Sequence, residues 1–498
     1  MSSQRRLSLI LAAMLLCTCG CGSTTSSDNP TDSDTSSEIT GTWTETETSG
    51  GIVPPDIEAV DCGGAEYSIL CKSPGGYTFP YSEFLTEEQN GETMNDAIYH
   101  RNIAIEEKYN LKLTAIEDSN VRGKAKSSIL AGDSSFDLVM PMTSEAFAMT
   151  LEGLLCDISL IPYVSIESPW WHAGISNNTS IGGRNYFISG DLNLSMLNGV
   201  GVTYFNKELA SKYNIGNIYQ TVRDGKWTLD RFSEYCKGIT QDLNGDTVLN
   251  GDDMFGLTCN AFVWQPLFSG TASRIIEKDD DDIPYLAWDS ERNIAVIEKL
   301  ISLLNDRDST ILVNQFPVLQ DSGGWGNASI KMFTEDRALF WIEIIYGVLQ
   351  LRDMNTDFGL LPMPKYDESQ PEYTSYIHAG WTSTCRVPVT ADNLDLTGRI
   401  LEDMAYQSYL TVRPAYYEIT LKGKVSRDNE SGEMLDIIYS NINLDLTLAM
   451  SLSGLPIDTT MRSAMIDNRT DLSSMIASQK SACEEIIKKN TDTILKLD

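Results

Sequence analysis

The sequence predicts an α/β fold divided into two lobes. Stretches with strand character alternate with amphipathic helical stretches along the chain, the pattern of packed strand and helix layers. The length of 498 residues exceeds what one hydrophobic core serves, so two lobes are expected. Beyond the first 21 residues no stretch is long and apolar enough to span a bilayer.

In chain order the first element is a leader, residues 1–20. Arg5 and Arg6 precede an apolar run from Leu7 to Leu16, then Cys17-Thr18-Cys19-Gly20-Cys21. A basic start, a short apolar centre and small residues at the end make a secretory signal. The run is about half the roughly 20 residues of a membrane-spanning helix. Its cysteine ending resembles a bacterial lipoprotein lipobox, which implies lipidation (palmitate) of the residue that begins the mature chain. Cys21 follows the small Gly20, and Cys19 has Leu16 three residues ahead, so Cys21 is the expected site and Cys19 its alternative. The protein is thus expected on the extracellular face of the cell membrane, lipid-anchored. Residues 21–62 form an acidic Ser/Thr-rich tether with almost no apolar periodicity.

The formal net charge is −33. Such a surface repels phosphate backbones and anionic head groups, which excludes nucleic acid as a partner and favours neutral or cationic ligands. Of ten cysteines, those beyond the leader and its lipobox are Cys62, Cys71, Cys156, Cys236, Cys259, Cys385 and Cys483. They have no CxxC spacing and are odd in number, so scattered buried thiols are expected.

The folded body begins near Ala65. Residues 93–109 read as a helix capped by Thr93, with Met94, Ala97, Ile98, Ile105 and Tyr109 on one face. Leu111, Leu113 and Ala115 alternate as a strand, while Phe136 to Met140 and Gly199 to Phe205 read as further strands. Helices are predicted at 229–239, 396–410 and 473–489.

Residues 242–253 place oxygens at positions 1, 3, 5, 7, 9 and 12 of a twelve-residue loop: Asp242, Asn244, Asp246, the Val248 carbonyl, Asn250 and Asp253. Calcium takes six to eight oxygen ligands in such loops. The segment resembles an EF-hand or dockerin loop with Leu249 at the inward-pointing position 8, but Thr247 replaces glycine and Asp253 replaces glutamate. It reads either as a weak structural calcium site or as a polar turn that needs no metal.

His100, His172 and His378 are the only histidines, and no HExxH, GxSxG, GxxxxGK[ST] or GxGxxG motif occurs. Nothing in the sequence demands catalysis. Tryptophans recur in polar or turn contexts, at Trp170-Trp171, Trp264, Trp325, Trp341 and Trp381. They suit either core packing or stacking on the apolar faces of sugars.

Several segments carry a family resemblance in order: Arg101 to Asn110, Ala131 to Met140, Pro169-Trp170-Trp171, Gly190 to Asn193, Tyr204 to Leu209, Gly225 to Leu229, and Phe255-Gly256-Leu257. Over roughly residues 65–490 they resemble extracellular solute-binding proteins of family 1, the sugar-binding lipoproteins of ABC importers. The resemblance implies an α/β, two-lobed periplasmic-binding-protein-like fold of type II with a ligand cleft between the lobes. Lobe 1 would comprise 63–193 and 344–412, and lobe 2 would comprise 194–343 and 413–498. The crossings would lie near Asp191–Leu197, Trp341–Glu343 and Leu410–Pro414. It further implies a monomeric, non-enzymatic carrier that hands a carbohydrate to ABC transporter permease subunits. The implied ligand-binding residues are Thr143, Ser144, Asp191, Asn193, Trp264, Trp341, Glu343, Trp381 and Tyr416. Aromatics would stack on pyranose faces while carboxylates and amides accept hydroxyl hydrogen bonds. The alternatives are a surface-anchored enzyme acting on polysaccharide and a carbohydrate-binding surface protein without a transport role.

Overall fold

A computed structural model describes residues 52–75, 82–320, 325–422 and 430–497. The leader, Cys19, Cys21 and the tether as far as residue 51 lie outside the described residues. Among those described, no helix is long and apolar enough to cross a membrane.

The first lobe is built on β1 (Ala65–Lys72), β2 (Leu111–Asp118) and β3 (Leu138–Val139). They form a parallel sheet in the order β2-β1-β3, with Ala65 opposite Leu111 and Ile69 opposite Leu138. Parallel neighbours need crossovers, supplied by helices α1 (Thr93–Tyr109) and α2 (Val121–Leu130). Helix α1 buries the five residues its periodicity predicts, together with Arg101 and Asn102. These two polar residues anchor an adjoining segment. Arg101 donates to the Glu83 carbonyl at 2.7 Å and Asn102 to the Phe84 carbonyl at 2.6 Å. The cap of α1 is Glu92, whose carboxylate accepts the Asn95 N–H, and Thr93 is the first helical residue. Helix α3 (Thr143–Leu151) follows β3.

The second lobe holds β4 (Gly201–Asn206), β5 (Phe255–Cys259), β8 (Thr310–Leu312), β9 (Ala338–Ile344) and β10 (Phe358–Leu361), ordered β10-β4-β9-β5-β8. Between β5 and β8 comes a hairpin of β6 (Ile276–Lys278) and β7 (Pro284–Leu286). A small pair joins β11 (Ser375–Tyr376) to β12 (Ile442–Asn443). Strand β4 is buried along its length and pairs antiparallel with both β10 and β9. In the core Tyr204 stacks on Trp341 with ring centroids 4.9 Å apart. Such a pair contributes about 0.5–1.5 kcal/mol beyond the area it buries. The predicted helix at 229–239 ends at Cys236, just before Gly238 with φ +74°. The C-terminal helix runs further than predicted, over Leu472–Ile494.

The chain passes through Gly190–Val200, including the buried helix Leu194–Asn198. Trp341–Glu343 is instead the interior of β9, and β10 pairs with β4, so residues 344–376 stay with the second lobe. The return is made at 377–388, where Ile377 pairs with Val200, Ser383 with Met142, Arg386 with Val139 and Pro388 with Leu155. Helices Leu394–Leu410 and Val412–Lys422 both pack on α1, whereas Glu430–Ser440 packs on β10. The third passage therefore falls after Leu410–Pro414. The helix Leu472–Ile494 contacts β7 of the second lobe and α3 of the first.

All seven described cysteines are free thiols, five of them buried.

Candidate functional site

Strands β5 and β9 run parallel, and their carboxyl ends open on a cavity of about 400 Å³. In α/β sheets this is where ligands sit. One wall is Asn260, Phe262 and Val263 after β5, with Ile342, Glu343 and Ile344 at the end of β9. The opposite wall is the return segment, with Tyr376, His378 and Trp381. Gly201 lies at its edge, where an added Cβ would come within 3.0 Å of Pro266 and 3.1 Å of the Tyr376 ring.

The aromatic wall is organised. Trp381 stacks on His378 with centroids 4.4 Å apart and planes 12° from parallel. Trp381 stays 36% exposed and lines the cavity. The loop is pinned from α3: the N–H groups of Thr143 and Ser144 donate to the carbonyls of Thr382 and Ala379 at 2.7 and 2.9 Å. Tyr376 Oη donates to Gln265 Oε1, and Gln265 Nε2 donates to Asp458 at 2.7 Å.

The charge of the cavity rests on Glu343. Its carboxylate accepts the Ile344 N–H at 3.0 Å, and no ion pair to it forms among the described residues. Burial pushes its carboxyl up to about 7, the single hydrogen bond opposing this. Burial also pulls His378 down to about 4, so that ring is neutral near pH 7. Among the described lining residues there is no lysine or arginine.

A second cavity of about 600 Å³ is lined by Trp171, His172, Arg274, Arg413 and Asp445 among others. Its aromatics are committed elsewhere. Trp171 is 5% exposed and donates its indole N–H to Glu402 at 2.7 Å, and Tyr439 is 3% exposed. It presents no open aromatic face.

No protein-family model matches the chain, and no curated protein matches it. Solved structures do. A cyclo/maltodextrin-binding protein complexed with maltotetraose matches 86% of this chain and 97% of its own, with TM-score 0.55 and 10% identity. UspC of M. tuberculosis matches 84% of this chain and 100% of its own, with TM-score 0.54 and 11% identity. The GacH receptor of Streptomyces glaucescens GLA.O matches 85% and 99%, with TM-score 0.50 and 12% identity. The chain has the two-lobed periplasmic-binding-protein fold. The cavity between the strand ends of the second lobe and the return segment is the candidate cleft.

Of the residues predicted for the cleft, Glu343 and Trp381 line it. Thr143 and Ser144 stand behind it, with their backbone donors used on the Trp381 loop; Thr143 Oγ1 also donates to the Thr382 carbonyl at 2.9 Å. Asp191 and Asn193 are buried in the first crossing. Asp191 pairs with Arg413 at 3.5 Å, and burial outweighs that pairing to push its carboxyl up to about 6. Asn193 Oδ1 accepts from Ser189 Oγ at 2.9 Å. Trp341 is 1% exposed inside the β9 core, because its side chain stacks on Tyr204. Trp264 is buried with its indole N–H on Asp458 at 3.1 Å, and Tyr416 is buried with its hydroxyl on Asn198 at 2.8 Å. Sequence reasoning missed Asn260, Phe262, Gln265, Tyr376 and His378. The available signal was position: Asn260 and Phe262 directly follow a strand.

The loop 242–253 lies between Gln241 and Met254, which pair with each other. Its side-chain oxygens cap its own backbone. Asp242 accepts the N–H groups of Gly245 and Thr247 at 2.7 and 2.8 Å, and those bonds hold its carboxyl below the usual range. Asn244 caps Asp246, and Asp246 caps Val248. Asp253 accepts from Leu243 and Asn250. Asn250 Nδ2 donates to the Val248 carbonyl at 2.9 Å. Leu249 packs inward beside Phe255, Ile311 and Met332. Thr247 has φ +65°, a conformation that favours glycine and strains a β-branched residue. Among the described residues no three His, Cys, Asp or Glu groups converge to hold a metal.

Proposed function

We propose that the protein is a lipid-anchored extracellular binding protein that captures a carbohydrate in the cleft and delivers it to an ABC transporter permease. The observation that carries the reading is the cavity at the carboxyl ends of β5 and β9, walled by the Trp381 indole stacked on His378 and by the Glu343 carboxylate. A pyranose offers an apolar C–H face to such a ring, and Glu343 nearby accepts hydroxyl hydrogen bonds. Two structures of the same fold were solved with sugars or sugar analogues, one with maltotetraose and one with acarbose.

Binding without turnover fits the site better than hydrolysis. Glycoside hydrolysis ordinarily needs two carboxyl groups flanking the bond, and among the described lining residues Glu343 is the only one. Lipidation of Cys21, or of Cys19, would keep a monomeric carrier at the membrane, with residues 21–62 as its tether. We also propose a structural calcium ion in the 242–253 loop, held by Asp242, Asn244, Asp246, the Val248 carbonyl, Asn250 and Asp253.

Calorimetry and thermal shift against a broad sugar panel test the central claim. Saturable binding by one or two sugars, lost in Trp381→Ala, is the expected result. A panel that leaves the melting curve unmoved would refute it. Mass spectrometry of the mature N-terminus reads the lipidated cysteine, and uptake by permease-containing vesicles reads delivery. A melting temperature that ignores a calcium chelator would remove the calcium ion.

A further inference from the structure

The cleft has an uneven charge design. Glu343 sits at the end of β9, facing a cavity whose described lining residues include no lysine or arginine. Its own chain gives it one neutral donor, the Ile344 N–H. His378 is stacked flat under Trp381 and is held neutral by burial. Tyr376 completes the aromatic surround, together with Phe262, whose ring already carries the Arg462 guanidinium 4.6 Å from its centroid. A carboxylate set among aromatic faces without an internal counter-charge is complementary to a cation. Hydrogen bonds between ionised partners are roughly twice as strong as neutral ones, and indole and phenol faces attract cations further. A ligand carboxylate entering the same cavity meets like charge and finds no cation among the described lining residues, the nearby Arg462 being paired with Asp458 at 2.9 Å. Like-charge juxtaposition is a strong means of rejection.

We propose that the cleft selects its sugar by charge, taking a pyranose that carries a protonated amine, with Glu343 as its counter-ion, and rejecting uronates. This rests on the carbohydrate reading above and goes beyond it by naming the ligand class and the residue that sets it. Trp381 contributes the stacking face common to all sugars, and Glu343 contributes the discrimination.

The test uses matched triplets at pH 7, where the amino sugar is protonated: glucose, glucosamine and glucuronate, then their β-1,4-linked dimers, titrated calorimetrically into the full chain and into Glu343→Gln. The amino sugar is expected to bind at least tenfold tighter than its neutral partner, and the uronate at least tenfold weaker. Glu343→Gln is expected to bring the amino and neutral sugars within about threefold while still binding the neutral one. Equal affinity for amino and neutral sugars in the wild type would overturn the charge inference and leave the carbohydrate reading standing. So would an amine preference that survives in Glu343→Gln, or a uronate that binds like the neutral sugar. Failure of every sugar in both proteins would overturn the carbohydrate reading and this inference with it.

Discussion

Glu343→Gln should stabilise the unliganded protein, and the gain should grow with pH. The carboxyl has an ordinary value of 4.5 and is pushed to about 7 in the fold, so the folded state holds a proton that the unfolded state releases earlier. Stability from this group is complete below about pH 4.5 and is lost as pH rises through about 7. With those two values, charging Glu343 in the folded state costs about 0.8 kcal/mol at pH 5 and about 3 kcal/mol at pH 8. Glutamine keeps the acceptor for the Ile344 N–H and carries no charge. The variant's advantage should therefore widen by about 2.5 kcal/mol between pH 5 and pH 8. Paired urea unfolding curves of the two proteins across that range measure it, since other titrating groups cancel in the difference. A gap that stays flat with pH, or narrows, would refute the view that Glu343 is an uncompensated carboxylate.

Trp381→Ala should weaken sugar binding at least tenfold while costing about 1 kcal/mol of stability for the lost stack on His378; calorimetry and melting curves separate the two. Trp341→Ala should do the reverse, costing about 3–5 kcal/mol because it empties a stacked core position, with the affinity of the surviving folded protein unchanged. Thr247→Gly should stabilise by about 1 kcal/mol through relief of its positive φ, read from urea midpoints. An unchanged or lower midpoint would show that the loop is not strained there.

The fold was legible because its signals are local. The apolar face of 93–109, the strand after it and the loop 242–253 each announce themselves within about a dozen residues, and each lies where the sequence put it. The lobe boundaries were less legible. Nothing in Phe340-Trp341-Ile342 distinguishes a strand interior from a crossing, and the antiparallel pairing of β10 with β4 that decides the matter joins residues about 155 positions apart. Which residues line the cavity was hard to read for a related reason. Tryptophan serves a core and a sugar face equally well, and only tertiary contacts place Trp341 against Tyr204 and Trp381 against His378. Thr143 and Ser144 are near the cleft, but their donors are spent on a loop 239 residues away in sequence.

The return segment has a bearing on how this protein can be changed. Residues 377–388 carry His378 and Trp381 and also form the backbone link between the lobes, pairing with Val200 at one end and with Val139 and Leu155 at the other. Under the proposed function, recognition and the link between the lobes share one stretch of chain, so directed evolution at Trp381 would perturb both together. The other wall, Asn260 to Val263 after β5, belongs to one lobe only. A designer who wants a new specificity with unaltered opening and closing should randomise that wall first.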